Sequence, residues 1–336
     1  MIERGRIRAP EIGRVWLNSP PLNLRQLRGR AVLIDFWDYT CVNCIRTLPY
    51  VQEWHRRYQD FGLVVIGIHT PEFTFAQYES NVERGVREFG LTYPIVIDSQ
   101  YELWKAFANR YWPAKYLIDQ EGFIRYARFG EGGYEETEEQ VQRLLREISP
   151  SMRLPAPMSP IRESDAIGTV CYRPTAEIYM GYHRGRLGNE GGFRQDAAFN
   201  YGVSGALQEG AFYLRGNWRA TAEYSELEST QGSIFLRYSA AGVNAVMACE
   251  GGGAVEILQE NRPLPAAQAS KEIQFSQSRS VIQVEKPRMY ALADGHDFSS
   301  STLELRCPRG LRAYAFTFST CVDPVATAAG ASEVVR

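Results

Sequence analysis

An α/β domain followed by an all-β, jelly-roll-like sandwich is the architecture this sequence predicts, and three observations predict it. The first 150 residues alternate short apolar runs with amphipathic segments. A stretch with four prolines, "SPSMRLPAPMSPIRESD" at 149–165, then breaks the pattern. Beyond it, short runs alternating apolar and polar residues recur with turn residues between them. A single core rarely grows to 336 residues, so two domains are expected. The boundaries read as 1–148 for the α/β domain, 149–170 for a Pro-rich linker, 171–322 for the sandwich and 323–336 for a flexible tail.

The elements follow in order. "AVLIDFW" (31–37) is a short apolar run after Gly29 and predicts a buried strand. A helix is expected from Cys41 to about Asp60, with Pro49 kinking it and Gly62 as its stop. "LVVIGIH" (63–69) is a second buried strand, "TFAQYESNVERGVREFG" (74–90) a helix, "YPIVID" (93–98) a strand and "YELWKAFANR" (101–110) a short helix. "AKYLID" and "FIRYARFG" read as a hairpin joined by "QEG". "EETEEQVQRLLREI" (135–148) is an amphipathic helix with acids early and arginines late, as the helix dipole favours. In the second half the strand candidates run from "GAFYLRG" through "GSIFLRYS", "NAVMACE" and "TLELRC" to "LRAYAFTFS".

Composition narrows the function. A net charge of -2 argues against a nucleic-acid or anionic-membrane partner, and no apolar run is long enough to span a bilayer. The N-terminal residues carry charges with no apolar segment behind them, so no signal peptide is expected. Six cysteines are too few for a disulfide scaffold. The expected compartment is therefore the reducing cytoplasm, or the periplasm if the true start lies upstream.

The chemistry concentrates in "FWDYTCVNCIRTLPY" (36–50). Cys41 and Cys44 stand three apart where a buried strand hands over to a helix. Backbone N–H groups there stabilise a thiolate, and the i, i+3 spacing puts both sulfurs on one face. Cys41 at the helix start is the exposed attacker, and Cys44 one turn in is the buried partner. Zinc would need a second closely spaced pair, which Cys171, Cys249, Cys307 and Cys321 do not form. Haem attachment needs a His at 45, where Ile stands. A structural disulfide or two core thiols remain the bland alternatives to a redox pair.

These residues resemble the thioredoxin superfamily, in particular its TlpA/ResA-like branch and, through "VIGIHTPEF", "YPIVID" and "YWPAKYLIDQEGFIRYARFGEGGYEETE", the DipZ-like group. The resemblance covers residues 9–148 densely and implies a thioredoxin-like fold with an N-terminal hairpin. It implies Cys41 as nucleophile and Cys44 as resolving cysteine, with no cofactor beyond their disulfide. It implies that Asp35 is the buried acid that takes the resolving thiol's proton, and that Glu72 competes for that role. Pro113 matches the cis-proline facing the cysteine pair, which exposes the preceding backbone to a substrate chain. Trp112, Trp37 and Tyr39 are expected to flank the substrate groove. Val42 and Asn43 replace the Gly-Pro of thioredoxin and leave the redox potential open.

Thiol peroxidases of the same fold need P-x-x-x-T-x-x-C. For Cys41 those positions hold Ile34 and Asp38, and for Cys44 they hold Trp37 and Cys41, so peroxidase activity is the weaker reading. The second half resembles, more faintly, the carbohydrate-binding-module-like domain of DipZ-like proteins. On that basis Trp218, Tyr224, Tyr179 and Tyr182 are candidate sugar-stacking residues, against a plain docking or oligomerisation role. The Gly-rich segment 181–193 is a candidate loop over the redox site. A Cys307–Cys321 bridge is open, with free buried thiols favoured in a reducing compartment. The sequence thus points to a thiol–disulfide oxidoreductase acting on protein or small disulfides with a separate electron donor. The competing class is a glycan- or partner-binding protein with a vestigial cysteine pair.

Overall fold

The computed structural model describes residues 7–320 except 14, 167, 168 and 170, and only the backbone of 295–297. The chain divides into two compact units at Ile161 and Arg162.

The first unit runs β1 (Val15–Leu17), β2 (Ala31–Trp37), α1 (Val42–Tyr58), β3 (Leu63–His69), α2 (Glu79–Glu88), β4 (Ile95–Ile97), α3 (Glu102–Ala106), β5 (Ala114–Ile118), β6 (Ile124–Phe129) and α4 (Tyr134–Ile148). The sheet order is β1-β4-β3-β2-β5-β6. β2, β3 and β4 are mutually parallel, while β5 and β6 return antiparallel. β2 is central and every one of its residues is buried, as a strand covered on both faces requires. Its side chains alternate: Val32, Ile34 and Phe36 enter a core with Leu103, Phe107 and Tyr116. Leu33, Asp35 and Trp37 must then face the other side, that of α1 and α4.

Two details differ from the sequence reading. The 74–90 helix is broken, because Tyr78 takes an extended conformation between a 3₁₀ turn (Thr74–Gln77) and α2. Among the described residues β1 forms no N-terminal hairpin and pairs antiparallel with β4.

The Pro-rich segment is partly a strap. The Gln142 side chain donates to the Pro155 carbonyl at 2.9 Å, Met158 N–H donates to Glu138 at 3.0 Å, and Ile161 N–H donates to the Tyr50 hydroxyl at 2.9 Å. Prolines cannot continue α4, but they leave carbonyls and neighbouring N–H groups free to bond to α1 and α4.

The second unit holds strands and short 3₁₀ turns: β7 (Ile178–Tyr179), β8 (Ala198–Tyr201), β9 (Phe212–Ala220), β10 (Ser225–Leu227), β11 (Gln231–Cys249), β12 (Gly253–Gln259), β13 (Arg262–Pro263), β14 (Gln274–Ser276), β15 (Arg279–Val284), β16 (Arg288–Pro308) and β17 (Leu311–Ser319). "GSIFLRYS" and "NAVMACE" are one 19-residue strand, β11. The small residues between them look like a turn but are register shifts at Ala240/Gly242 and Val243/Asn244. A Cβ at Gly242 would stand 3.0 Å from the Ala293 carbonyl oxygen, so only glycine fits that close approach. The first half of β11 pairs with β9 and the second half with β17, which folds the sheet around one apolar core. The Gly-rich segment is tied to its own unit through Tyr182 N–H to Thr221 O (2.9 Å) and Gly188 N–H to Phe212 O (2.8 Å).

Candidate active site

β2 delivers the chain to Cys41 across a short turn whose geometry one side chain sets. Asp38 is fully buried, and its Oδ1 accepts from the Thr40 N–H (2.7 Å) and hydroxyl (2.8 Å). Its Oδ2 accepts from the Glu72 N–H at the end of the β3 loop. Asp38 thereby ties the turn before the cysteines to the loop after β3. Cys41 then caps α1: its sulfur accepts the Cys44 N–H at 3.1 Å. That N–H, at the positive end of a 17-residue helix, lowers the energy of a thiolate at Cys41. Cys41 and Cys44 form a disulfide with their Cα atoms 5.2 Å apart. Cys41 keeps a little exposure and Cys44 none, which orders them as outer and inner sulfur.

The C-terminal end of β2 and the start of β5 share one end of the sheet, because Phe36 pairs with Ala114. Pro113 immediately precedes Ala114, and the Trp112–Pro113 peptide bond is cis. Trp112 is half-buried: its indole N–H donates to the Thr70 carbonyl at 3.0 Å and its ring lies 4.0 Å from Trp104. Two expected groove residues are corrected. Trp37 is fully buried with its ring edge-on to His69, and Tyr39 is stacked on His69 at 5.5 Å and nearly as buried. Both rings are enclosed by packing against His69.

Asp35 is 1% exposed, and neither carboxylate oxygen has a hydrogen-bond partner. Burial pushes its pKa up to about 7, against the opposing pull of Lys115. Lys115 is its cross-strand partner in the β2–β5 register. It is itself fully buried with no hydrogen bond at Nζ, and burial lowers its pKa. Lys115 was missed from the sequence; its signal is a lone cation inside a strand that otherwise reads as fully apolar. His69 was missed too. It ends β3 under the site, its Nε2 is 3.9 Å from Asp38 Oδ1, and burial lowers its pKa. Glu72 is half-buried in the loop that Asp38 grips.

Among the described residues no cluster of His, Cys, Asp and Glu could hold a metal. Of the sugar-stacking candidates, Trp218 is 0% exposed and belongs to the apolar core, so that expectation is corrected. The Arg184 guanidinium lies over Tyr179 at 3.4 Å, and Tyr224 packs on Tyr314. Cys307 and Cys249 are free buried thiols, so Cys307 is not bridged; Cys321 lies outside the described residues. Cys171 is disulfide-bonded.

A cysteine pair capping a helix, a cis-proline at the same sheet end and a buried acid on the central strand define a thioredoxin-like redox domain. Comparison with known proteins agrees. The AhpC/TSA family matches residues 8–127, and the "Thioredoxin like C-terminal domain" family matches 175–319. Protein DipZ of Mycobacterium tuberculosis is 36% identical over 312 residues, 90% of this chain and 41% of that protein. The chain thus spans about two fifths of the length of that relative. Thiol-disulfide oxidoreductase YkuV of Bacillus subtilis is 32% identical over 40% of this chain and 90% of its own length. ResA of Bacillus thuringiensis is 28% identical over 40% of this chain and 72% of its own length. The chain belongs to the thioredoxin-like family of thiol–disulfide oxidoreductases.

Proposed function

We propose that this chain reduces or exchanges disulfides with Cys41 as nucleophile and Cys44 as resolving thiol. The observation that carries the reading is the Cys44 N–H donating to the Cys41 sulfur at the start of α1. In the reductive direction, the Cys41 thiolate breaks the substrate S–S bond and forms a mixed disulfide, releasing one substrate thiol. Cys44 then attacks the Cys41 sulfur, releasing the second thiol and closing Cys41–Cys44. The dithiol gives up two electrons and two protons in total, and a separate donor must restore it.

Asp35 accepts the Cys44 proton in this scheme, directly or through a water. Its unbonded, buried carboxyl with a pKa near about 7 supports that role, since it changes protonation at working pH. Glu72 is the competing acceptor, supported by its place on the loop gripped by Asp38. Pro113 and the Trp112 backbone receive the substrate chain. The disulfide at Cys171 supports a compartment where disulfides persist, in place of the reducing one expected from the N-terminal residues. Among the described residues no helix is long and apolar enough to cross a membrane.

The test is insulin or a peptide disulfide reduced by dithiothreitol-primed protein. Turnover that survives Cys41→Ser unchanged would sink the reading. A peroxidase reading draws support from the AhpC/TSA match, but neither cysteine has the upstream Pro and Thr. Hydrogen peroxide consumption separates the two.

A further inference from the structure

Hydrogen-bond donors beside a reactive sulfur stabilise its thiolate, and a buried carboxylate beside it does the opposite. Asp38, three residues before Cys41, withholds the first and supplies the second. The Thr40 N–H and hydroxyl donate to its Oδ1 at 2.7 and 2.8 Å, and the Cys41 N–H donates to its backbone carbonyl at 3.3 Å. Its Oδ2 accepts the Glu72 N–H. The Cys41 sulfur keeps the Cys44 N–H at 3.1 Å.

Asp38 is 0% exposed, and three donors converge on its two oxygens, the surroundings of a carboxylate anion. Its basic neighbour does not neutralise it. His69 Nε2 stands 3.9 Å from Oδ1, and both ring nitrogens lack a hydrogen-bond partner. Burial lowers the imidazole pKa, which leaves the ring uncharged. The first turn of α1 carries no acid, so Asp38 is the charge nearest the nucleophile along the chain. The other ionisable groups on the elements around the pair are Cys44 and Arg46 on α1, Asp35 on β2, Glu72 after β3 and Lys115 on β5. Arg46 is paired with Glu131 at 2.5 Å.

We propose that Asp38 is a positioning residue for disulfide exchange: its enclosed carboxylate holds the Cys41 thiolate at higher energy than α1 alone would set, so the pair favours the closed disulfide and gives its electrons away. The inference rests on the dithiol-exchange reading of Cys41 and Cys44. Asp38 acts through Cys41 and touches no substrate. In the reaction with dithiothreitol, two electrons and two protons pass between that dithiol and the Cys41–Cys44 disulfide. A less stable thiolate shifts the balance toward the protein disulfide.

The experiment reads the acidity of Cys41 in the full chain. The protein is reduced with a phosphine, freed of it, and alkylated with iodoacetamide from about pH 5 to about pH 9. Rates are read on the Cys41 peptide by mass spectrometry. Asp38→Asn is expected to lower the midpoint by roughly one pH unit, about tenfold in the thiolate-to-thiol ratio at fixed pH. Thr40→Val removes a donor from the carboxylate and keeps its charge, so its midpoint rises, by about twofold in that ratio. A turn that Asp38 merely braces would loosen in both variants and move both midpoints the same way. Equal profiles for Asp38→Asn and wild type, or two shifts of the same sign, overturn the proposal. Where Asp38→Asn does not fold, a Thr40→Val midpoint that stays or falls overturns it alone. The equilibrium with dithiothreitol at about pH 9 is measured alongside, where Asp38→Asn should hold up to about tenfold more dithiol, equivalent to about 30 mV. A wild-type pair that never equilibrates removes the exchange reading itself, whereas alkylation needs only the thiol and still decides what Asp38 does to it.

Discussion

Both units bury charge, and they treat it in opposite ways. In the first, Asp35 and Lys115 face each other across β2 and β5, and neither side chain makes a hydrogen bond. In the second, Glu256 and Glu304 lie nearer the surface, at 9% and 6% exposed, and each is bonded. Glu256 accepts from Arg279 at 2.8 Å and Arg306 at 3.4 Å; Glu304 accepts from Ser233 at 2.8 Å and Arg306 at 3.4 Å. The consequence shows in acidity. Burial raises Asp35, whereas the Arg279 hydrogen bond lowers Glu256. Enclosed charge without partners is destabilising, and a fold keeps it where a proton has to move. Enclosed charge with partners is ordinary architecture on a sheet face.

The largest test of this contrast is the cysteine pair. Cys41→Ser is expected to lower disulfide reduction at least about a thousandfold, while Cys249→Ala in the second unit leaves it unchanged in the same assay. Next comes the second core. Trp218→Ala is expected to cost about 3–5 kcal/mol of that unit's stability, read by denaturant unfolding, with dithiol chemistry retained below the transition.

Asp35→Asn sharpens the comparison from the other side. Turnover should fall about a hundredfold and lose its inflection near pH 7, measured as rate against pH. Stability should move the opposite way. Unfolded, this acid ionises near 3.8; folded, near about 7. Between those values the unfolded chain has released a proton that the native state still holds, so wild-type stability falls as pH rises through the window and levels off above it. At pH 8 the Asn variant should be more stable by up to about 4 kcal/mol, at 1.36 kcal/mol per pKa unit. Equal urea midpoints for the two at pH 8 would break the contrast. The smallest effect belongs to Arg279→Ala, about 1 kcal/mol or less, since its guanidinium is more than half exposed.

Much of this was legible in the chain. β2 and β3 showed as unbroken apolar runs, Cys41 and Cys44 were found through their spacing, and Pro113 through the family resemblance. What escaped depends on register. Lys115 acquires meaning only when β5 is laid antiparallel on β2, opposite Asp35. His69 and Asp38 meet because the parallel strands β2 and β3 end side by side, which no local pattern reveals. Trp37 and Tyr39 adjoin the cysteines in sequence, yet both rings turn inward against His69, at the end of a strand far away in the chain. The two longest strands were cut short in the reading because their bulges carry the small residues of a turn.

The strap at 155–161 decides where this protein can be divided. A fragment ended at Ile148 would keep every helix and strand of the first unit, yet would strip four bonded groups, at Tyr50, Arg57, Glu138 and Gln142, of partners that arrive from beyond α4. A fragment ended at Ile161 keeps all of them. Protease resistance should accordingly extend about a dozen residues past the last helix, and the natural seam lies after the prolines rather than before them.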